Sequence, residues 1–224
     1  TVGKVASLGG SGANARKFLS APDIVQLDAS TDSILVGSGD REQPFDLAIA
    51  NRFYMVKDSH AINALPDPAA PVTETDLCPL SIASPDASAC IADTTKKGWR
   101  FELRTGEKVV TGATTLAGTT IFGTNTPASQ SAPGQCTGSL GQALVYAVNF
   151  KNATPALDWN NGGAFGGFAG EDTRGGFPSS AAPYSVKLGD KYYEGAIVTP
   201  KVIEPVGPEL LQRYRVFWNL SVDN

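Results

Sequence analysis

Few residues in this 224-residue chain are of types that do chemistry, and their spacing is poor for it. His60 is the sole histidine. A Ser-His-Asp or Cys-His site needs a base held within hydrogen-bond reach of its nucleophile, whereas His60 opens a Pro-rich stretch and reads as a solvated loop residue. No H-E-x-x-H, P-loop or G-x-S-x-G pattern occurs, nor any C-x-x-C pair for structural zinc. Asp28 with Asp32, Asp40 with Glu42, and Glu171 with Asp172 are close enough in sequence to suggest paired-carboxylate chemistry. With 22 acidic residues in the chain such pairs arise by chance, and they read as surface. "DASTD" places Asp28, Ser30 and Asp32 at alternate positions, as in the start of a calcium loop. Ser33 and Gly39 then stand where that loop needs Gly and Glu, so hairpin-turn chemistry is the expected role. No metal site is assigned.

Three cysteines remain. Cys78 and Cys90 flank the loop-like "CPLSIASPDASAC", where a disulfide would close a short loop, contribute about 3 kcal/mol and imply an oxidising compartment. Two unrelated thiols in a reducing cell are the alternative. Cys136 has its partner outside this chain or is free.

The elements around these residues read as strands. Charged residues make up 18%, with 24 glycines and 15 prolines, a mix that favours strands joined by many turns. The net charge of −4 argues against a nucleic-acid binder. No window approaches 18 apolar residues, so no helical membrane span is expected. The chain opens on "TVGKVASLGG" without a signal peptide, as a mature chain or an excised fragment would. Strand patterns cover "VGKVASL", "RKFLSAPDIVQL", "DSILVGSGD", "LAIANRFYMVKD", "GWRFELRT", "EKVVTGATTLAGTTIFGTNTP", "QALVYAVNFKN", "YSVKLGD", "YEGAIVTPKVIEP" and "QRYRVFWNLSV". Two long insertions interrupt them. Residues 59–98 carry five prolines and, around "ETDL", a short helix at most; residues 158–183 carry seven glycines.

One pattern recurs. Lys17-Phe-Leu-Ser-Ala matches Lys108-Val-Val-Thr-Gly; the strand through Ile34 to Gly37 matches that through Ile121 to Gly123; Tyr54-Met-Val matches Tyr146-Ala-Val. Each unit runs strand, turn, strand, loop, aromatic strand, and "GWRFEL" supplies a fourth strand to the first. Four antiparallel strands per repeat describe a β-propeller blade. Roughly two and a half blades are visible, and a closed propeller needs at least about four. The expected fold is therefore all-β, with residues 1–224 the C-terminal portion of one propeller domain. A complete sandwich of eight or nine strands is the alternative.

The run from Gly98-Trp99 through the Gly-Glu-Lys-Val step at 106–109 to Thr126-Pro127, together with "SAPDIVQ", "ILVGSGDRE", "NRFYMVKD" and "LVYAVN", resembles the C-terminal propeller domain of the PilY family, type IV pilus biogenesis factors and tip-associated adhesins. The resemblance covers most of residues 1–155. It implies a modified quinoprotein-like propeller, of which this chain holds the last two to three blades. It also implies a bacterial protein exported to the cell surface, associated with the outer membrane at or near the pilus tip, where it supports pilus assembly and adhesion. Minor pilins and a host or abiotic surface would be its partners. It implies no enzymatic activity and no cofactor in this chain. The calcium loop of some members has the form D-x-D-x-N-D-x-x-D, which does not occur here. A degenerate quinoprotein docking motif is present at Ala147 and Asn149, with Ala153 in place of Gly and Trp159 two residues late. A quinone-dependent dehydrogenase fragment and a secreted carbohydrate-binding propeller are the alternative functions. Binding residues usually lie on loops over a rigid sheet scaffold, so both insertions are candidate contact surfaces, with Trp159, Phe165, Phe168 and Phe177 as the candidate partner-binding rings. Packing of those rings onto the propeller is the alternative. An open propeller leaves strand edges unpaired. Residues 1–224 expressed alone are expected to aggregate or fold poorly; a soluble monomer with a cooperative melt would contradict the partial-propeller reading.

Overall fold

The computed structural model describes residues 3–59, 70–81, 86–128, 140–157, 169–172, 176–198 and 201–203. The chain is all-β. The described strands form three sheets that do not close into a barrel.

The first sheet contains β1 (Asp23–Gln26), β2 (Asp32–Gly37), β3 (Arg52–Asp58), β4 (Cys78–Leu80) and β5 (Gly98–Glu102), in the order β1-β2-β3-β5-β4. The second contains β6 (Lys108–Val109), β7 (Thr114–Leu116), β8 (Thr119–Thr126), β9 (Gln142–Asn149) and β10 (Ala169–Asp172). Here β6 and β7 both pair with β8, and β9 and β10 follow outward. Between β6 and β7 the chain bulges: Val110 N–H still reaches the Gly123 carbonyl (3.0 Å), while Gly123 N–H donates to the Thr111 hydroxyl (2.8 Å). The third sheet is β11 (Ala182–Leu188), β12 (Lys191–Val198) and β13 (Lys201–Ile203), in that order.

The sequence repeat is a repeat of register. Gly37 lies opposite Phe53, the residue before Tyr54; Gly123 lies opposite Val145, the residue before Tyr146. Two residues past each glycine, Gly39 N–H donates to the Lys17 carbonyl, and Asn125 pairs with Lys108. Both glycines are places of close approach between chain segments. A Cβ on Gly37 would sit 2.5 Å from the Val109 methyls, and one on Gly123 would sit 2.6 Å from Pro178. Gly37 ends its strand as expected, but Gly123 lies in the middle of β8.

The sheets stack face to face, and the second is covered on both sides. Phe122 and Tyr146 face the first sheet: Phe122 stacks on Phe53 with ring centroids 3.8 Å apart and on Tyr146 at 4.9 Å, and Phe101 meets Tyr146 edge-on at 5.7 Å. Ile121, Val145 and Ala147 face the third sheet, where they bury against Ala196 and Val198. A strand covered on both faces reads as a continuous apolar run, which is why β8 and β9 are buried almost end to end. The outer face of the first sheet, at Tyr54 and Val56, is covered by Leu8, Val5, Phe18 and Leu77.

The first insertion is less loop-like than its prolines suggest. Cys78–Leu80 adds β4 parallel to β5, and "ETD" forms a single 3₁₀ turn with a capping box from Thr73 to Asp76. Ser88–Ile91 forms a four-residue helix, α1. The N-terminal "VGKVASL" contributes one bridge, Ala6 to Val72, instead of a strand, and only Asp23–Gln26 of "RKFLSAPDIVQL" is strand. In the second insertion, Ala169–Asp172 pairs with β9 as its fourth strand. The expected strand "QRYRVFWNLSV" lies outside the described residues.

Cys78 and Cys90 form a disulfide linking β4 to α1. The helix also docks on the second sheet: Ala87 N–H donates to the Asn152 carbonyl (2.9 Å), and the Asn152 amide to the Ser88 hydroxyl (2.9 Å). The bond thus fastens the insertion to both sheets. Cysteines 12 apart close a loop worth about 3 kcal/mol. Cys78→Ser with Cys90→Ser should lower the unfolding free energy by that amount, and dithiothreitol should do the same to the native chain while leaving the double variant unchanged.

Candidate interaction surface

The side chains best placed for chemistry are two tyrosine–glutamate pairs at equivalent points of the repeat. Tyr54 donates its hydroxyl to Glu74 (2.6 Å), and Tyr146 donates to Glu107 (2.9 Å). Each carboxylate also binds arginine: Glu74 binds Arg52 and, at 3.2 Å, Arg16; Glu107 binds Arg104 Nε at 3.1 Å. Burial raises the Tyr54 and Tyr146 hydroxyls above the ordinary tyrosine value, and the neighbouring carboxylates add to this. For Glu74, burial opposes ionisation, but hydrogen bonds from Arg52 and Tyr54 and the charge of Arg16 prevail and hold it below its usual value. These tyrosines therefore keep their protons, and the carboxylates have their lone pairs occupied. Such groups lock sheets together.

Glu107 has no exposed surface. Its Oε1 accepts from Thr124 (2.5 Å) and Tyr146, and its Oε2 accepts from Arg104 Nε and the Arg104 backbone N–H (both 3.1 Å). Its carbonyl accepts from the Asn51 amide (3.1 Å). Asn51 belongs to the first sheet's approach to β3, and its side-chain oxygen accepts from Ser38 (3.3 Å); the Ser38 carbonyl in turn takes the Val109 N–H (3.1 Å).

The two repeat lysines converge on a cavity of about 180 Å³ beside this junction, lined also by Asp40, Gln43, Asp46 and Asn51. Lys17 bridges Asp40 (2.8 Å) and Glu42 (3.2 Å), whose hydrogen bonds raise its ammonium pKa. Lys108 is buried and donates to the carbonyls of Asp46 (2.5 Å) and Gly106 (3.3 Å); burial lowers its pKa, against the charges of Asp46 and Asp40. Each ammonium has acceptors in the loop 39–50, so the lysines pin that loop.

The pinned loop carries exposed apolar groups, Phe45 (57%) and Leu47 (53%). Its Arg41 lies over the Phe177 ring, 5.1 Å from the centroid. Phe177 is half-exposed, between Gly176, whose N–H donates to the Leu140 carbonyl (3.0 Å), and buried Pro178. Leu140 is itself exposed. Phe177 thus has one face under a guanidinium and about half of its surface in solvent. Trp159, Phe165 and Phe168 lie outside the described residues, as do His60 and Cys136. Asp28 accepts from the Ser30 N–H (2.8 Å) and hydroxyl (3.0 Å), the hairpin-turn role expected of it. Among the described residues no three His, Cys, Asp or Glu side chains gather to hold a metal. Sequence reading missed Glu74, Glu107, Asn51 and the Arg41 contact; the capping-box pattern around Glu74 was the one available signal.

No protein-family profile matches the chain, and no curated protein matches its sequence. Among solved structures it is similar to the C-terminal domain of Pseudomonas aeruginosa PilY1, with a TM-score of 0.61 at 13% identity. The similarity covers 87% of this chain and 46% of that one, so the chain spans about half the length of the structure it matches. It shares that domain's β-propeller-type fold.

Removing a partner from a buried ion pair costs about 3–5 kcal/mol. Glu107→Ala should lower the unfolding free energy by that much, and Tyr146→Phe by about 1.5–3 kcal/mol, read from urea melts. An unchanged midpoint for Glu107→Ala would contradict the junction described above.

Proposed function

We propose that this chain is the C-terminal part of an exported, pilus-associated bacterial surface protein. It acts as a non-enzymatic module in type IV pilus assembly and in adhesion. The observation that carries this reading is the shared fold with the PilY1 C-terminal domain over 87% of the chain. The Cys78–Cys90 bond supports export, because disulfides persist in oxidising compartments. The polar groups of the sheet junctions support a binding role over a catalytic one. Glu74, Glu107, Lys17 and Lys108 are each committed to structural partners.

Contacts to pilus components or to a surface then fall to exposed apolar groups on fixed loops. Phe177, with Arg41 over its ring, and Leu140 beside it are the described residues best suited to this; aromatic and arginine side chains are enriched at interfaces. Trp159, Phe165 and Phe168, outside the described residues, are the other rings proposed for contact. No cofactor is required by this role.

Deleting the encoding gene should abolish surface pili or attachment, and a deletion strain with normal pili and normal adherence would overturn the proposal. In a complemented strain, Phe177→Ala should leave protein level and thermal melting near wild type while reducing adherence, if Phe177 belongs to the contact surface.

A further inference from the structure

The cavity between the two repeat lysines has hydrogen-bonding capacity that the fold does not use. Lys108, on its buried side, directs two of its three ammonium N–H groups to the carbonyls of Asp46 and Gly106. The third has no acceptor among the described residues. Asp46 accepts the Ala48 N–H with one carboxylate oxygen (2.9 Å), and the other has no hydrogen-bond partner among them. The Gln43 amide also lines the cavity and makes no hydrogen bond among them.

These groups lie near one another without touching. The charges of Asp46 and Asp40 both act on the Lys108 ammonium, yet neither carboxylate forms an ion pair with it. A group that fits between must accept from the ammonium and donate to a carboxylate. A hydroxyl does both with one oxygen.

The surrounding backbone holds this arrangement in place. Asp40 accepts the Glu42 N–H (3.0 Å), and Arg16 Nε donates to the Ala50 carbonyl (2.9 Å). The Gly39 N–H donates to the Lys17 carbonyl (2.9 Å). Polar groups fixed before binding need little ordering when a ligand arrives.

Charge and size narrow the ligand class. Lys17 and Lys108 balance Asp40 and Asp46, so the lining favours neither an anion nor a cation. The volume of about 180 Å³ equals roughly six waters at about 30 Å³ each. Pockets for drug-sized ligands are larger, about 300–1,000 Å³. Ala15 and Ile49 give the cavity an apolar wall.

We propose that this cavity binds one neutral sugar ring, free or at the end of a glycan, with ring hydroxyls bridging the Lys108 ammonium to the Asp46 and Asp40 carboxylates. Gln43 hydrogen-bonds a further hydroxyl, and the C–H face of the ring lies on Ala15 and Ile49. The inference stands on the cavity and does not depend on the pilus-associated role or on Phe177.

The test uses the full-length encoded protein and saturation-transfer NMR. The probes are methyl glycosides of glucose, galactose, mannose and N-acetylglucosamine, with glucosamine, glucuronate and inorganic phosphate as charged comparators. At least one neutral glycoside should bind saturably and more tightly than every charged comparator. Ala15→Phe, which fills the cavity from an exposed position, should abolish that binding with circular dichroism and thermal melting near wild type. Gln43→Ala should weaken it roughly two- to tenfold, the loss of one hydrogen bond. Phe177→Ala should leave it unchanged, which separates this site from the proposed pilus contact. An oligosaccharide ending in the same sugar should bind at least as well if the ligand is a glycan end, and more weakly if it is a free sugar. No saturable binding of any neutral glycoside, binding undiminished in both Ala15→Phe and Gln43→Ala, or tighter binding of a charged comparator would each refute the proposal.

Discussion

A carboxylate without access to water sits where the first sheet meets the second, and much of the structure follows from satisfying it. Glu107 engages Arg104, Thr124 and Tyr146 through its side chain and Asn51 through its carbonyl. A buried charge is tolerable only when its partners are fixed. Fixing them sets the distance between β6 and β8, the position of β9 relative to both, and the approach of the segment before β3. The polar junction and the aromatic stack of Phe53, Phe122 and Tyr146 meet at one residue, Tyr146, whose ring packs and whose hydroxyl donates.

The Tyr54–Glu74 pair repeats this arrangement one sheet earlier with a different source of carboxylate. Glu107 lies in the chain that leads directly into the second copy, whereas Glu74 comes from the Pro-rich insertion. The insertion therefore serves the first sheet as structure: it supplies a carboxylate, a fifth strand and, through Cys90, an anchor to the second sheet. Exposed apolar groups among the described residues include those of the loop held by Lys17 and Lys108 and of the segment around Phe177.

The repeat was readable because close packing constrains residue type at fixed register. Gly37 and Gly123 are glycines because another chain segment occupies the space of a Cβ, and Tyr54 and Tyr146 recur because each must fill a core and donate a hydrogen bond at its rim. Strand β4 was not readable. Three residues, one of them proline, give no periodicity, and a parallel partner close to 20 residues away in sequence leaves no local mark. The Arg41–Phe177 contact joins residues 136 positions apart that carry no mutual pattern.

The sequence by itself determined the all-β class, the turn-rich meander and the equivalence of the two copies, and it placed Cys78 and Cys90 close enough to pair. Each follows from local spacing: alternation, turn residues, or two cysteines bracketing a short loop. Only the tertiary structure decided which carboxylates are buried, which lysines are tied down and which aromatic ring is left in solvent. Those outcomes depend on what lies across a sheet interface, and a one-dimensional pattern records the face a residue takes without recording what it meets there.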